Sequence, residues 1–332
     1  MRLSKTQIRQ IIRGSTILGT GGGGRLDSAL SVIEKLPPID LISFSDLNTD
    51  DIVITAYGAG GLTKPKSTKA AMARGLELLQ KQLNRPIKAI VPVEIGPYSL
   101  AAAFEIAAKL GVPVVDGDLV GYRSVPEIYI ELVTLANLPR CPLVFGNNEG
   151  DLVLLDETSS PESLEQIVRS FADESASNTF VLGYPYSRAQ LNKCLARGSV
   201  SYCLEIERKL NKDFQLVGSG VVTEDAKEEL DGFTKGYLSI KESKSSFRIE
   251  FKNEYLVLLK NKEVLVTCPD FICVVDQKTG LGLNNGDNNL GKEVAIYVRP
   301  AIQQWLTKEG LALFSPKKLG LDYQQKVLER YR

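Results

Sequence analysis

The chain has 332 residues, 43% of them hydrophobic, with Lys plus Arg and Asp plus Glu balanced at 40 each. That balance offers no basic field to nucleic acid or an anionic membrane, and no run approaches the ~18 consecutive apolar residues of a membrane helix. Histidine is absent, which excludes a Ser-His-Asp or Cys-His device within one chain and any zinc site built on imidazole.

In chain order, Ser4 is positioned to cap a first helix carrying Ile8, Ile11 and Ile12 on one face. The run Gly19 to Gly24 breaks it, and Asp27 reads as the N-cap of a second helix ending at Leu36, before Pro37 and Pro38. Strands are predicted over 39–44 and 51–57, the latter running into the turn Gly58-Ala59-Gly60-Gly61. A helix from about Ser67 to Leu83, an apolar strand over 88–94, a helix over 98–110 and a strand over 112–116 complete an alternating β/α pattern. Such alternation predicts a parallel sheet with helices packed on it. A hairpin across Asn147-Asn148-Glu149-Gly150 and a helix over 160–172 follow, then the polar stretch 173–177. A strand over 180–183 and one helical stretch over 187–210 precede a run of short strands from Gln215 onward, interrupted by a polar loop over 284–289. The fold class is α/β: an N-terminal parallel-sheet α/β domain, 1–177, and a second, β-rich C-terminal domain, 178–332.

The glycine run is the most unusual local feature. Thr20, Gly21, Gly22, Gly23 and Gly24 precede a helix, and their backbone N–H groups could face an anion or a carbonyl oxygen. A helix rather than a strand comes first, and no Lys-Ser/Thr follows, so neither a dinucleotide fingerprint nor a phosphate loop fits. Acidic residues gather at the ends of the apolar strands: Glu94, then Asp116 with Asp118, then Glu127. Ligands of open α/β sheets bind outside the carboxyl ends of the strands, so these residues are expected to converge on one crevice, with the alternative that each caps a helix or turn. The five cysteines are scattered, without metal-ligand spacing. Their odd number reads as reduced thiols. With an N-terminus that carries charges throughout and lacks a signal-like apolar run, this places the chain in the cytoplasm. Asn253 reads as a hairpin residue that could reach the site.

These residues carry a resemblance. Ile17-Leu18-Gly19-Thr20-Gly21-Gly22-Gly23-Gly24, Pro92-Val93-Glu94-Ile95-Gly96 with Ser99, and Val114-Val115-Asp116-Gly117-Asp118 with Gly121 and Pro126-Glu127 resemble segments of the S-methyl thiohydantoin desulfurase-like family. Gly232-Phe233-Thr234-Lys235-Gly236, Ile249 to Glu254 and Pro269 to Asp276 continue the match in order. In that family an Arg often follows directly the glycine matching Gly121. Here Tyr122 intervenes before Arg123, and the segment after the second strand also departs, as Tyr57-Gly58-Ala59-Gly60-Gly61-Leu62.

The resemblance implies an α/β domain followed by a β-rich one, and a link to hydantoin chemistry. The expected activity is hydrolysis of a thiohydantoin or hydantoin-like cyclic amide. Asp116 or Glu94 would act as base, the Gly21–Gly24 amides would stabilise negative charge, and Arg123 would assist. The alternative is a non-catalytic metabolite-binding protein or an accessory subunit of a hydantoinase-like complex. A divalent metal held by Glu94, Asp116 and Asp118, and a homo-oligomer, are both compatible with the sequence. The expected partner is a small molecule, not nucleic acid or a membrane.

Overall fold

The computed structural model describes residues 1–60 and 69–328. The predicted helix start at Ser67, together with Gly61 and Leu62, lies outside the described residues.

The N-terminal part is built from β1 (Arg2–Leu3), α1 (Lys5–Leu18), α2 (Leu26–Ile33), β2 (Ile39–Ile42), β3 (Ile52–Ala59), α3 (Lys69–Leu83), β4 (Ile87–Ile90), α4 (Pro97–Leu110) and β5 (Val114–Val115). Ser4 caps α1 reciprocally with Gln7, and Ile8, Ile11 and Ile12 are buried, as predicted. The second helix begins one residue before Asp27, which sits in its first turn and accepts the Ser28 N–H at 2.7 Å rather than capping from outside. Strands β2, β5, β4 and β3 are parallel neighbours, with Leu41 opposite Val114, Ile90 opposite Val114 and Ile54 opposite Ile90. Their near-continuous apolar runs are what a sheet covered on both faces requires.

The chain continues through β6 (Gly117–Asp118), α5 (Leu132–Leu135), β7 (Leu143–Gly146), β8 (Leu152–Leu155), α6 (Pro161–Glu174) and β9 (Thr179–Ser187). The full sheet order is β1-β2-β5-β4-β3-β9-β7-β8. Strand β9, which follows the division expected at residue 177, is antiparallel to both β3 and β7 within this sheet.

The single helical stretch expected over 187–210 is instead three short helices, α7 (Arg188–Leu191), α8 (Ser199–Tyr202) and α9 (Ile206–Asp213), with β10 (Ala196–Arg197) among them. Helix α7 ends at Leu191, and Gly198, in a left-handed conformation with φ +81°, stands as the N-cap of α8. Strand β10 then pairs with β6.

The remaining strands form one antiparallel, curled sheet: β11 (Gln215–Leu230), β12 (Phe233–Lys241), β13 (Ser246–Lys252), β14 (Glu254–Lys260), β15 (Glu263–Thr267), β16 (Phe271–Asp276) and β17 (Glu293–Arg299), in the order β15-β14-β13-β12-β11-β17-β16. The short helix α10 (Lys308–Leu313) follows. The curled sheet holds its own apolar core, including Leu238, Ile249, Phe251, Leu258, Val274 and Ile296. No helix among the described residues is long and apolar enough to cross a membrane.

The glycine run joins the two parts. The Gly21 N–H donates to Leu283 O at 2.7 Å, and the Asn285 N–H donates to Gly21 O at 2.8 Å. Thr20 Oγ1 donates to Val274 O at 3.2 Å. The end of α1 therefore lies against β16 and the loop that leaves it.

Candidate active site at the seam

Glu94 lies four residues past the end of β4, where the chain turns into α4. Ser99, one turn into that helix, donates to Glu94 Oε1 at 2.7 Å, and the Val125 N–H donates to Oε2 at 3.0 Å. Glu94 lines a cavity of about 50 Å³ together with Tyr57, Gly58, Glu127, Glu131 and Arg169, among others. That volume holds a water molecule or two.

Behind Glu94, from the other half of the protein, comes Glu254, the first residue of β14, 3% exposed. Its carboxyl lies in the space that a side chain on Gly22 would fill. The Ser124 hydroxyl and the Arg123 guanidinium stand near the Glu254 carboxyl. Burial, and then the Glu94 charge, push Glu254 up to about 8, against the pull of Ser124 and Arg123. Burial pushes Glu94 up to about 7, opposed by its bonds from Ser99 and Val125, with Asp118 adding to the rise. Two donors favour the ionised form of Glu94, while burial and the Glu94 charge favour the protonated form of Glu254. Both carboxyls are therefore held above their ordinary value, Glu254 the further of the two.

The glycine run makes this approach feasible. A Cβ on Gly23 would lie 2.9 Å from Gly96 Cα, so the loop passes backbone to backbone over the start of α4. Two of the amides expected to face an anion serve the fold instead: the Gly21 N–H bonds Leu283 O, and the Gly23 N–H bonds Gly19 O at 2.9 Å. A larger cavity of about 290 Å³ lies beside Gly19, Gly24 and Pro97. Its charged groups are engaged: Asp287 with Arg25 from outside the lining at 2.8 Å, Lys292 with Asn289 at 2.8 Å, and Asp276 with the Lys278 and Thr279 N–H groups. The smaller cavity is where polar groups with shifted titration converge, the better mark of a site.

Several expected residues lie elsewhere. Asp116 is absent from the lining of the Glu94 cavity, and its Oδ1 accepts the Ser201 N–H of α8 at 2.9 Å. Asp118 is fully buried, and its carboxylate accepts three backbone N–H groups, from Val120, Gly121 and Tyr122, at 2.7, 2.5 and 2.9 Å. Arg123 is buried between the Phe271 and Phe314 rings, and donates to the carbonyls of Ser124, Pro269 and Asp270. Burial lowers it to about 10. Glu127 lines the cavity and pairs with Lys252. Asn253 turns the β13–β14 hairpin with φ +59°, its Oδ1 accepting the Thr234 N–H at 2.8 Å. Among the described residues no group of three or more Asp, Glu or Cys side chains is placed to hold a metal ion.

Glu254 was not among the expected site residues. It heads the apolar strand β14, whereas the rule that marked Glu94 applies to residues that end a strand.

Fold and site together define a two-part α/β protein with a carboxyl pair buried where its halves meet. Residues 6–157 match the N-terminal domain and residues 159–328 the C-terminal domain of the S-Me-THD-like proteins. The chain belongs to this S-methyl thiohydantoin desulfurase-like family. It is similar in fold to the X-ray structure of a protein from Chromobacterium violaceum, a structural-genomics target, with a TM-score of 0.78, 21% identity, and coverage of 99% of this chain and 100% of that one. No curated protein matches.

Proposed function

We propose that the chain hydrolyses the carbon–sulfur bond of a thiohydantoin or a related small cyclic thioamide, with Glu94 activating the water. One observation carries this reading: Glu94 faces a water-sized cavity, its carboxyl accepting from two donors and backed by the buried Glu254. A carboxyl near 7 is suited to proton transfer at neutral pH.

The step balances as follows for an S-methylated ring. Water oxygen bonds to the ring carbon that carries sulfur, and one water proton passes to Glu94. The C–S bond then breaks. The two protons of the water end on the ring nitrogen and on the departing methanethiol, leaving the oxo ring. Glu254 serves as the neutral neighbour that keeps a second negative charge away from Glu94 while it is ionised. A ring is larger than the 50 Å³ space, so its binding has to displace cavity-lining side chains.

The test is to incubate the purified chain with S-methyl thiohydantoins and to measure thiol and hydantoin release together. Equimolar release supports the reading. Binding of the ring without release favours the metabolite-binding alternative.

A further inference from the structure

Tyr57 and Glu131 line the same cavity as Glu94. Behind them runs a hydrogen-bonded chain. Tyr57 Oη and Tyr184 Oη are 3.1 Å apart, and Tyr184 Oη donates to Glu131 Oε1 at 3.1 Å. Arg140 closes the chain, its Nε 2.9 Å and its Nη2 2.8 Å from Glu131 Oε2. All four residues are buried.

The direction of this chain is determined by its inner end. A guanidinium has donors only, so Arg140 faces an acceptor, the Glu131 carboxylate. A carboxylate only accepts, so Tyr184 donates its single proton to Glu131. Tyr57 must then donate its own proton to Tyr184. Burial holds both phenols protonated, well above their usual range, so neither has a proton to lose or spare. With its one hydrogen turned to Tyr184, the Tyr57 oxygen has only lone pairs to offer the cavity, and among the described residues nothing else hydrogen-bonds to it.

We infer that Tyr57 is a specificity-determining acceptor that reads a ring N–H, so that the site selects cyclic amides with a free N–H over their N-alkylated counterparts. The ring class rests on the proposed function; the direction of the chain does not. A site built around a substrate N–H rejects the analogue lacking it, because the buried acceptor is then left unpaired.

The test is calorimetric titration of the full chain with hydantoin and with 1,3-dimethylhydantoin at pH 8.5, above the value of about 7 to which burial raises Glu131. Wild type should bind hydantoin at least about tenfold more tightly. Tyr57→Phe should lose that factor for hydantoin and leave dimethylhydantoin unchanged. Tyr184→Phe, which frees the Tyr57 proton to turn toward the ring, should shrink the ratio at least threefold. Equal binding of the two rings by wild type, or an unchanged ratio in Tyr57→Phe, overturns the inference. Retained N–H selectivity without any thiol release would defeat the hydrolytic reading alone, and failure to bind either ring would defeat both.

Discussion

The carboxyl group of Glu254 occupies the volume that a side chain at Gly22 would need. The two residues belong to different halves of the protein, and their contact places the second carboxyl behind Glu94. The absence of a side chain at position 22 is therefore a condition for the buried pair.

Gly22→Ala should force Glu254 out of its place. The expected cost is about 1–3 kcal/mol of stability, read by urea unfolding. In an Glu254→Ala background the same substitution should cost far less, since the obstructing carboxyl is gone. Equal costs in the two backgrounds would mean that the contact carries no energy.

The carboxyl pair also makes stability depend on pH. Both groups titrate higher in the folded protein than the ordinary value of 4.5, at about 7 and about 8. Between those limits the folded state binds more protons than the unfolded one, so stability falls as pH rises. The contribution is fully present below about pH 4.5 and is lost as pH rises through 7 to 8. Unfolding midpoints at pH 5.5 and 8.5 should show the loss, and Glu254→Gln should reduce it.

Asp116 and Asp118 should respond in opposite ways. Asp118→Ala leaves three buried N–H groups without their acceptor and should cost about 3 kcal/mol or more. Asp116→Asn keeps an oxygen for the Ser201 N–H and should leave both stability and turnover within about twofold. A collapse of turnover in folded Asp116→Asn would return that residue to the chemistry.

Arg123 is expected to act through the fold. Its guanidinium satisfies three backbone carbonyls between two aromatic rings, so Arg123→Met should lower stability by about 2–4 kcal/mol. Turnover per folded molecule should change little. The check is activity normalised to the folded fraction at each urea concentration.

Much of the architecture was legible in the residues. Apolar runs at Ile52–Tyr57, Ile87–Ile90 and Val114–Val115, separated by helical stretches, can bury both faces only as neighbouring parallel strands. The strand expected over 88–94 ends at Ile90, yet the residues expected after it, Glu94 and Ser99, do lie together and bond at the start of α4. The fates of Asp116 and Asp118 were not legible, because Asp116 is claimed by an N–H of helix α8, distant in sequence, and Asp118 by the N–H groups of its own turn. Nor was Glu254, whose place beside Gly22 exists only once the curled sheet packs on the first domain. The broken helix after Ser187 was missed because the short strand β10 inside it forms only through its pairing with β6, distant in sequence.

The most direct test of the central claim is the turnover of Glu94→Gln with an S-methyl thiohydantoin, measured as thiol release beside Glu127→Gln as the control from the same cavity. The substitution keeps the shape and an acceptor for Ser99 but cannot take a proton from water. The account predicts a loss of at least about 100-fold in folded Glu94→Gln and a much smaller effect in Glu127→Gln. Thiol release by Glu94→Gln within a few fold of wild type would contradict it.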